Sequence, residues 1–138
     1  MRCGVAGNEI VHAAEGFDAQ VEQGFVSAWG PHWVPPVYHC RADEKELRIR
    51  LSVPKGAAGT LRLYVIDPDR FFGGRKEEIT VDDTSLGVVE NFVEGRWLEC
   101  LVPAAATEDG SVVIQVKNLK SEGNAVLSII EWCAQSAA

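Results

Sequence analysis

The chain has 138 residues, of which 46% are hydrophobic, and a formal net charge of −7. This length and apolar content are typical of a single domain with a substantial core. The negative charge repels phosphate backbones, and no basic stripe is interleaved with aromatic residues, which argues against nucleic acid as a partner. Apolar runs are only a few residues long, so no membrane span is predicted.

Residues 1–40 form an irregular lead-in, with room for first strands, and differ in texture from the rest of the chain. Three prolines between positions 31 and 36 exclude a helix there and favour an extended loop. A helix fits only residues 13–26, where apolar residues approximate helical spacing. Two glycines in the same stretch weaken that prediction.

From Glu46 onward the chain becomes a succession of short alternating or β-branched runs. Leu47–Val53 alternates strictly between apolar and polar residues, which is the period of a strand with one solvated face. Such runs, separated by turn residues, predict seven strands at 47–53, 61–67, 77–82, 86–89, 96–102, 111–116 and 125–132. The predicted fold class is therefore all-β, an antiparallel sandwich formed by one domain over 1–138 with its core strands in 46–132.

Four side chains within these strands bear on where a ligand could bind. Trp97 and Trp132 are predicted to lie in the core. Arg62 and Tyr64 share the face opposite the apolar residues of the same strand. That face is either an ordinary solvated surface or the lining of a concave binding face.

The order of several strand and turn segments along the chain resembles that of a known group of domains. The segments are 59–67, a strand ending at 81–82, then 97–99, 112–116 and 124–132. Together they are similar to galactose-binding-domain-like jelly rolls, particularly the malectin-like and carbohydrate-binding accessory modules of polysaccharide-degrading enzymes. The closing stretch Ser128–Glu131, a small polar residue followed by an apolar pair and a glutamate, is similar to the last strand of those modules.

The resemblance covers about residues 45–133 and implies more than a fold. It implies a sandwich of eight or more strands, the structural calcium ion that is frequent in such domains, and sugar binding either on loops at one end or on a sheet face. It also implies export as part of a larger enzyme, so a secreted or periplasmic location is predicted. Met1–Ala14 lacks the pattern of a signal peptide, which alone would equally suit a cytosolic protein.

Calcium favours clustered carboxylate and carbonyl oxygens. Acidic residues at predicted strand ends offer such oxygens, namely Asp67, Asp69, Asp82, Asp83 and Glu131. None of them has the spacing of a dedicated calcium loop, and aspartates in turns also serve local hydrogen bonding.

Sugar recognition needs flat aromatic faces beside planar polar groups. Trp29 and Trp33 lie four residues apart on the proline-rich loop, where they could form a platform for adjacent sugars, and Tyr38 follows. The alternative is that these rings plug one end of the sandwich.

A second set of candidates lies on two later loops. The first carries Arg70, Phe71, Phe72 and Arg75, and two adjacent phenylalanines cannot both point inward from an extended segment. The second carries Glu90, Asn91 and Phe92. If both loops emerge at the same end of the sandwich, they form a shallow polar and aromatic site. The alternative is ordinary loop residues with one buried phenylalanine.

The four cysteines, Cys3, Cys40, Cys100 and Cys133, have no short CxxC spacing, which argues against a zinc or redox site. They allow three pairings, and Cys3 with Cys133 is the first to consider if both ends of the domain lie in neighbouring strands. Free buried thiols are the alternative.

No nucleophile motif, phosphate loop or HExxH occurs, and so small a domain has little room for a deep cleft with two opposed carboxylates. The leading hypothesis is a non-catalytic module that binds a glycan or polysaccharide and accompanies the catalytic domain of a parent protein. A structural or protein-docking sandwich is the alternative, and a small glycan-active enzyme is a weaker third.

Overall fold

The computed structural model of the protein describes residues 2–6, 9–11, 18–28, 39–68 and 70–135, with only the backbone for 2–6, 9–11, 18, 25–28 and 39. In these parts of the chain, helical structure is limited to two short 3-10 turns, Phe71–Gly73 and Ala104–Thr107. No helix in them is long and apolar enough to cross a membrane. The predicted all-β class is confirmed.

The strands form two five-stranded sheets and one three-stranded sheet, in which neighbouring strands pair antiparallel. In chain order they are β1 Arg2–Ala6, β2 Glu9–Val11, β3 Asp18–Gln23, β4 Phe25–Ala28, β5 His39–Asp43, β6 Glu46–Ser52, β7 Gly59–Val65, β8 Lys76–Val81, β9 Thr84–Glu90, β10 Arg96–Val102, β11 Ser111–Asn118, β12 Ala125–Leu127 and β13 Ile129–Ala134. The sheet orders are β10-β7-β13-β1-β2, β3-β6-β11-β8-β9 and β12-β5-β4.

Strand β6 shows why the alternating runs fold as they do. Leu47, Ile49 and Leu51 are fully buried, whereas Arg48 and Arg50 between them are half-buried on the opposite face. Burial of each such aliphatic side chain contributes about 1.5–3 kcal/mol. The strand pairs with β11, whose Val112, Ile114 and Val116 face the same core. Period-2 patterning thus places one face of this sheet inward.

The predicted strand at 125–132 is in fact two strands. The chain changes sheets at Ser128, because β12 pairs with β5 whereas β13 pairs with β7 and β1. The Ser128 N–H donates to the Tyr64 carbonyl oxygen at 3.0 Å, which keeps this backbone group paired at the crossing. Residues on both sides of it are buried on both faces, so the stretch carries no alternation that would mark the break.

The predicted helix within 13–26 is wrong for the described part of that stretch. Residues 18–23 and 25–28 are strands β3 and β4, separated by Gly24. Gly24 has a φ of 145°, and a side chain there would overlap Leu47 of the core. Ala19 is buried and Gln20 exposed, so the true period is two, and the helical spacing of the apolar residues is coincidental.

The lead-in supplies strands to all three sheets. Its first strand, β1, lies between β2 and the last strand, β13. The two ends of the domain therefore do lie in neighbouring strands, yet Cys3 pairs in register with Ile130, three positions from Cys133. The Cys133 thiol is free and exposed, and the Cys100 thiol is free and half-buried, so the predicted disulfide at Cys133 is not seen.

The two strand tryptophans have different environments. Trp132 is 1% exposed and lies in the core as predicted. Trp97 is only half-buried, on the outer face of β10, so its prediction as a core residue is wrong. Its ring packs on Tyr64, with centroids 5.0 Å apart, and lies 4.4 Å from the Arg62 guanidinium carbon. On the face that carries Arg62 and Tyr64, both side chains thus pack against Trp97 of the neighbouring strand.

Candidate functional site

Two of the predicted loops meet at one end of the sandwich. The connection from β7 to β8 spans residues 66–75, and the connection from β9 to β10 spans residues 91–95. They are joined where the Asp67 N–H donates to the Phe92 carbonyl oxygen at 3.0 Å. A cleft of about 320 Å³ lies at this junction, called here the loop cleft. Its charged and polar lining includes Arg70, Arg75, Lys76, Glu90, Asn91 and Lys120.

A buried ion pair forms the inner wall of the loop cleft. Asp67 and Arg75 are 1% and 4% exposed, and Asp67 Oδ1 accepts from Arg75 Nη1 at 2.5 Å. The other carboxylate oxygen accepts from the Arg75 backbone N–H at 2.9 Å, and Arg75 Nε donates to Asn124 Oδ1 at 2.9 Å. A buried charge pair is tolerated because these additional hydrogen bonds satisfy its polar atoms. The pair connects the first loop to the loop before β12.

Lys120 ties down the tip of the first loop. Its ammonium group donates to the carbonyl oxygens of Phe72 and Gly74, at 2.7 Å each. Hydrogen bonds from a charged donor at this distance are stronger than neutral ones. Lys120 thus holds the backbone of the tip at two positions.

The backbone of the two loops adopts conformations that most side chains avoid. Arg70, Phe72 and Asn91 have φ values of 48°, 52° and 57°, in the left-handed region. Asparagine tolerates this region, whereas for arginine and phenylalanine it costs roughly 1–2 kcal/mol. In the described chain one other non-glycine residue, Asp82, has a positive φ. Strain of this kind collects at ligand-binding sites, where the surroundings enforce it.

Exposed apolar side chains lie on the loops that form the cleft. Phe71 and Phe72 are 39% and 53% exposed, and their ring centroids are 4.5 Å apart. The sequence predicts that at least one of the two rings does not point inward. In the structure both rings are accessible. Val93 and Leu119, on the neighbouring loops, are each 38% exposed. This end of the domain thus combines exposed aromatic faces with hydrogen-bonding groups.

Glu77 lies behind the ion pair, on the inward face of β8. It is fully buried, and its Oε1 accepts from the Val126 N–H at 2.9 Å, whereas Oε2 has no hydrogen-bond partner. Burial raises the pKa of this carboxyl to about 8, against the opposing effects of the Val126 hydrogen bond and the Arg75 charge. The side chain is therefore a neutral acid in the folded protein at neutral pH.

The structure brings some of the predicted site residues together and removes others from reach. Arg70, Glu90 and Asn91 line the loop cleft, and Phe71 and Phe72 lie on the segment beside it. Phe92 is 1% exposed, so its ring is packed in the core and has no free face for a sugar. Arg75 is likewise too buried to contact a ligand with its guanidinium group. The predicted residues Trp29, Trp33 and Tyr38 lie outside the described residues.

Lys120 and Asn124 were not predicted as site residues. They lie in the loop 119–124, which carries no aromatic residue and reads as an ordinary polar turn. The sequence signal that could have drawn attention to them is the glycine at position 123. In the structure Gly123 has a φ of 78° and lies against Phe71 and Phe72.

Two larger hollows occur elsewhere, of about 640 and 680 Å³. The first is lined by Arg50 and Asp109, and the second by Thr60 and Cys133, among other residues. Among the described residues, no aromatic side chain lines either hollow. Arg50 is paired with Glu22, and the Asp109 carboxylate accepts from Ser111. The Arg50 and Asp109 side chains are thus already engaged within the domain.

The described residues do not fit the calcium ion that the resemblance implies. They contain no group of three or more His, Cys, Asp or Glu side chains able to hold a metal ion. The carboxylates of Asp67 and Glu131 are paired with Arg75 and Arg62, and Asp82 accepts from the Val113 N–H. Asp69 lies outside the described residues.

Comparison with solved structures identifies the fold. A family 35 carbohydrate binding module from Clostridium thermocellum superposes with a TM-score of 0.53 at 11% identity, over 96% of this chain and 97% of that one. A family 35 module from an environmental isolate gives 0.52 at 15% identity, over 91% and 94% of the two chains. The chain therefore shares the jelly-roll fold of these modules, as the resemblance predicted.

At the level of sequence, no protein-family model and no curated protein matches the chain.

Proposed function

We propose that this domain binds a glycan at the loop cleft. The observation that carries the proposal is that Arg70, Glu90 and Asn91 line one cleft, beside the exposed rings of Phe71 and Phe72. The solved structures with the same fold are described as carbohydrate binding modules, which supports the same conclusion.

The roles of these residues follow from their chemistry. An exposed aromatic ring stacks on the apolar C–H face of a pyranose and buries area with a preferred orientation. Asn91 offers both a donor and an acceptor to neighbouring hydroxyls, Arg70 offers a planar set of donors, and Glu90 offers acceptors. The rings give area, and the polar groups give orientation and specificity.

The domain is proposed to be non-catalytic. Of the two carboxylates described as lining the cleft, Asp67 is committed to its ion pair with Arg75, and only Glu90 remains for a ligand. Glycoside hydrolysis uses two carboxyl groups on opposite sides of the scissile bond. We further propose that the domain accompanies the catalytic domain of a secreted polysaccharide-degrading enzyme, which the carbohydrate-binding modules of the same fold support.

Affinity electrophoresis tests glycan binding directly, with soluble xylan, galactomannan, β-glucan and pectin in the gel. We expect at least one polysaccharide to retard the wild-type protein, and Phe72→Ala to weaken that retardation by about tenfold in dissociation constant. Leu101→Ala is the matched control, because Leu101 is 82% exposed but lies at the far end of β10. No retardation of the folded wild-type protein on a wider glycan panel would rule out the proposal.

A protein-docking role is the second candidate, and the apolar surroundings of the cleft are the observation that favours it. Phe71, Phe72, Val93 and Leu119 together could contact another protein as well as a sugar. The two functions differ in one outcome. If the domain docks a protein, Phe72→Ala weakens binding to that partner, while no polysaccharide retards the wild type.

A further inference from the structure

We propose that Lys120 and Arg75 are positioning residues, which hold the Arg70–Gly74 segment in a binding-ready conformation. The inference rests on the proposed glycan site. Glycan affinity then depends on both residues, although Arg75 does not touch the glycan and Lys120 acts mainly through the backbone of the segment. The set formed by Lys120, Arg75 and their partners is called the clasp.

The segment needs external support because its own backbone is unfavourable. It contains two non-glycine residues in the left-handed region, Arg70 and Phe72, and its 3-10 turn has no side-chain cap. The internal bonds are limited to Gly73 N–H to Arg70 O at 2.9 Å and Gly74 N–H to Phe71 O at 3.2 Å. So short a turn is not stable by itself.

Lys120 supplies part of that support. Two of its three ammonium donors are used on the carbonyl oxygens of Phe72 and Gly74, on either side of Gly73. Neither carbonyl oxygen belongs to a strand ladder, so the ammonium group substitutes for the sheet partner that this segment lacks. The contact fixes the backbone at Phe72, from which the more exposed ring projects.

Arg75 supplies the rest from below. Its guanidinium carbon lies 5.0 Å from the centroid of Phe71, so the charge faces the ring from the buried side. The same group is held by Asp67 and Asn124. The position of the Phe71 ring is thereby coupled to two loops, and rigid placement reduces the entropy lost when a ligand binds.

Substitutions at Lys120 test the proposal without disturbing a buried charge. Lys120→Met keeps the apolar stem and removes the two hydrogen bonds. Lys120→Arg retains a donor group for two carbonyl oxygens, so it should preserve both the order of the segment and the glycan affinity. Lys117→Met is the matched control, because Lys117 is exposed on β11 and does not line the cleft.

Arg75→Lys is the second variant. It preserves a positive charge beside Asp67, so the domain should fold, but a single ammonium group cannot reproduce the fork that also reaches Asn124.

Two measurements are made on each protein. NMR relaxation gives backbone order parameters for residues 71–74 without a ligand, and affinity electrophoresis gives the dissociation constant for whichever panel polysaccharide retards the wild type most. In Lys120→Met we expect the order parameters to fall from about 0.85 towards 0.6. We also expect the dissociation constant to rise about tenfold, with a similar change in Arg75→Lys. Lys120→Arg and Lys117→Met should stay close to wild type.

The opposing outcomes are distinct. Unchanged order parameters in both Lys120→Met and Arg75→Lys overturn the clasp. Lost affinity with an ordered segment in Lys120→Met overturns the positioning role and makes Lys120 a direct contact. A mobile segment with unchanged affinity also overturns it. If the wild-type protein binds no polysaccharide, the proposed function fails instead, which is visible before any variant is measured.

Discussion

Glu77 places a carboxyl group among the apolar side chains at the start of β8. Its pKa is raised from 4.5 to about 8, primarily because burial disfavours the charged form. In the unfolded chain the same group loses its proton near pH 4.5. Between these two values the folded state binds more protons than the unfolded state, so the free energy of unfolding falls as the pH rises.

We therefore expect Glu77→Gln to flatten the pH dependence of stability. The wild-type free energy of unfolding should fall relative to that of the variant by about 1.4 kcal/mol per pH unit between about pH 4.5 and pH 8. An amide remains neutral over this range, and its oxygen can still accept from the Val126 N–H. Urea denaturation of both proteins across this pH range measures the difference.

Glu78→Gln is the control for this prediction, one residue along on the outward face of β8. The Glu78 carboxylate is half-buried and accepts from the Ser85 hydroxyl at 2.8 Å. Its substitution removes a carboxylate from the same strand outside the core, which separates the effect of burial from that of net charge. Parallel curves for Glu77→Gln and the wild type would show that Glu77 is ionised in the folded protein.

At the scale of the elements, the turn before β10 is constrained by a side chain from the neighbouring strand. Gly95 has a φ of 89°, and a Cβ atom there would overlap the Tyr64 hydroxyl group of β7. We expect Gly95→Ala to destabilise the domain by about 2–4 kcal/mol, because left-handed strain adds to steric overlap. Chemical denaturation measures this loss.

Gly56 provides the comparison that separates these two costs. Its φ is 75°, but a Cβ atom there would meet no other atom within 4 Å. Gly56→Ala should therefore cost only the backbone strain, about 1–2 kcal/mol. Equal losses for the two variants would mean that Tyr64 moves aside without cost.

The elements that could be predicted from the sequence are those with one solvated face. The alternation of apolar and polar residues predicts β6 and β7, and short apolar or β-branched runs bounded by turn residues predict β8 to β11. The split at Ser128 was missed because β12 and the first half of β13 are buried on both faces, which removes the alternation. Strand β3 is not predicted because Val21 also fits the helical spacing of Val11, Ala14 and Phe17.

The site was predictable to the level of the loops. Alternating strands at regular spacing place the 66–75 and 91–95 loops between strands, and their composition indicates a polar and aromatic surface. Which member of a loop turns inward depends on contacts made over a long sequence distance. Arg75 is buried because it meets Asp67 and Asn124, and the latter is 49 residues away. Local sequence carries no information about such a contact.

At the scale of the whole molecule, the first strands complete the sheet that contains the last one. Strand β1 lies between β13 and β2, so removal of residues 1–11 would expose one edge of β13. Unpaired edges lose hydrogen bonds and favour association between copies. We expect the truncated protein to unfold at lower urea concentration and to elute earlier than a monomer in size-exclusion chromatography. A monomer of unchanged stability would show that β1 and β2 are dispensable.

The register of β13 on β7 has a practical consequence. Ile129 pairs with Tyr64 near the loop cleft, whereas Ala134 pairs with Gly59 at the other end of the strand. Over seven residues β7 extends roughly 20 Å, so β13 ends at the end of the sandwich opposite the cleft. A fluorescent reporter or a biotin tag fused beyond Gln135 would then point away from the cleft. Immobilised through such a tag, the domain would present the cleft outward, towards molecules arriving from solution.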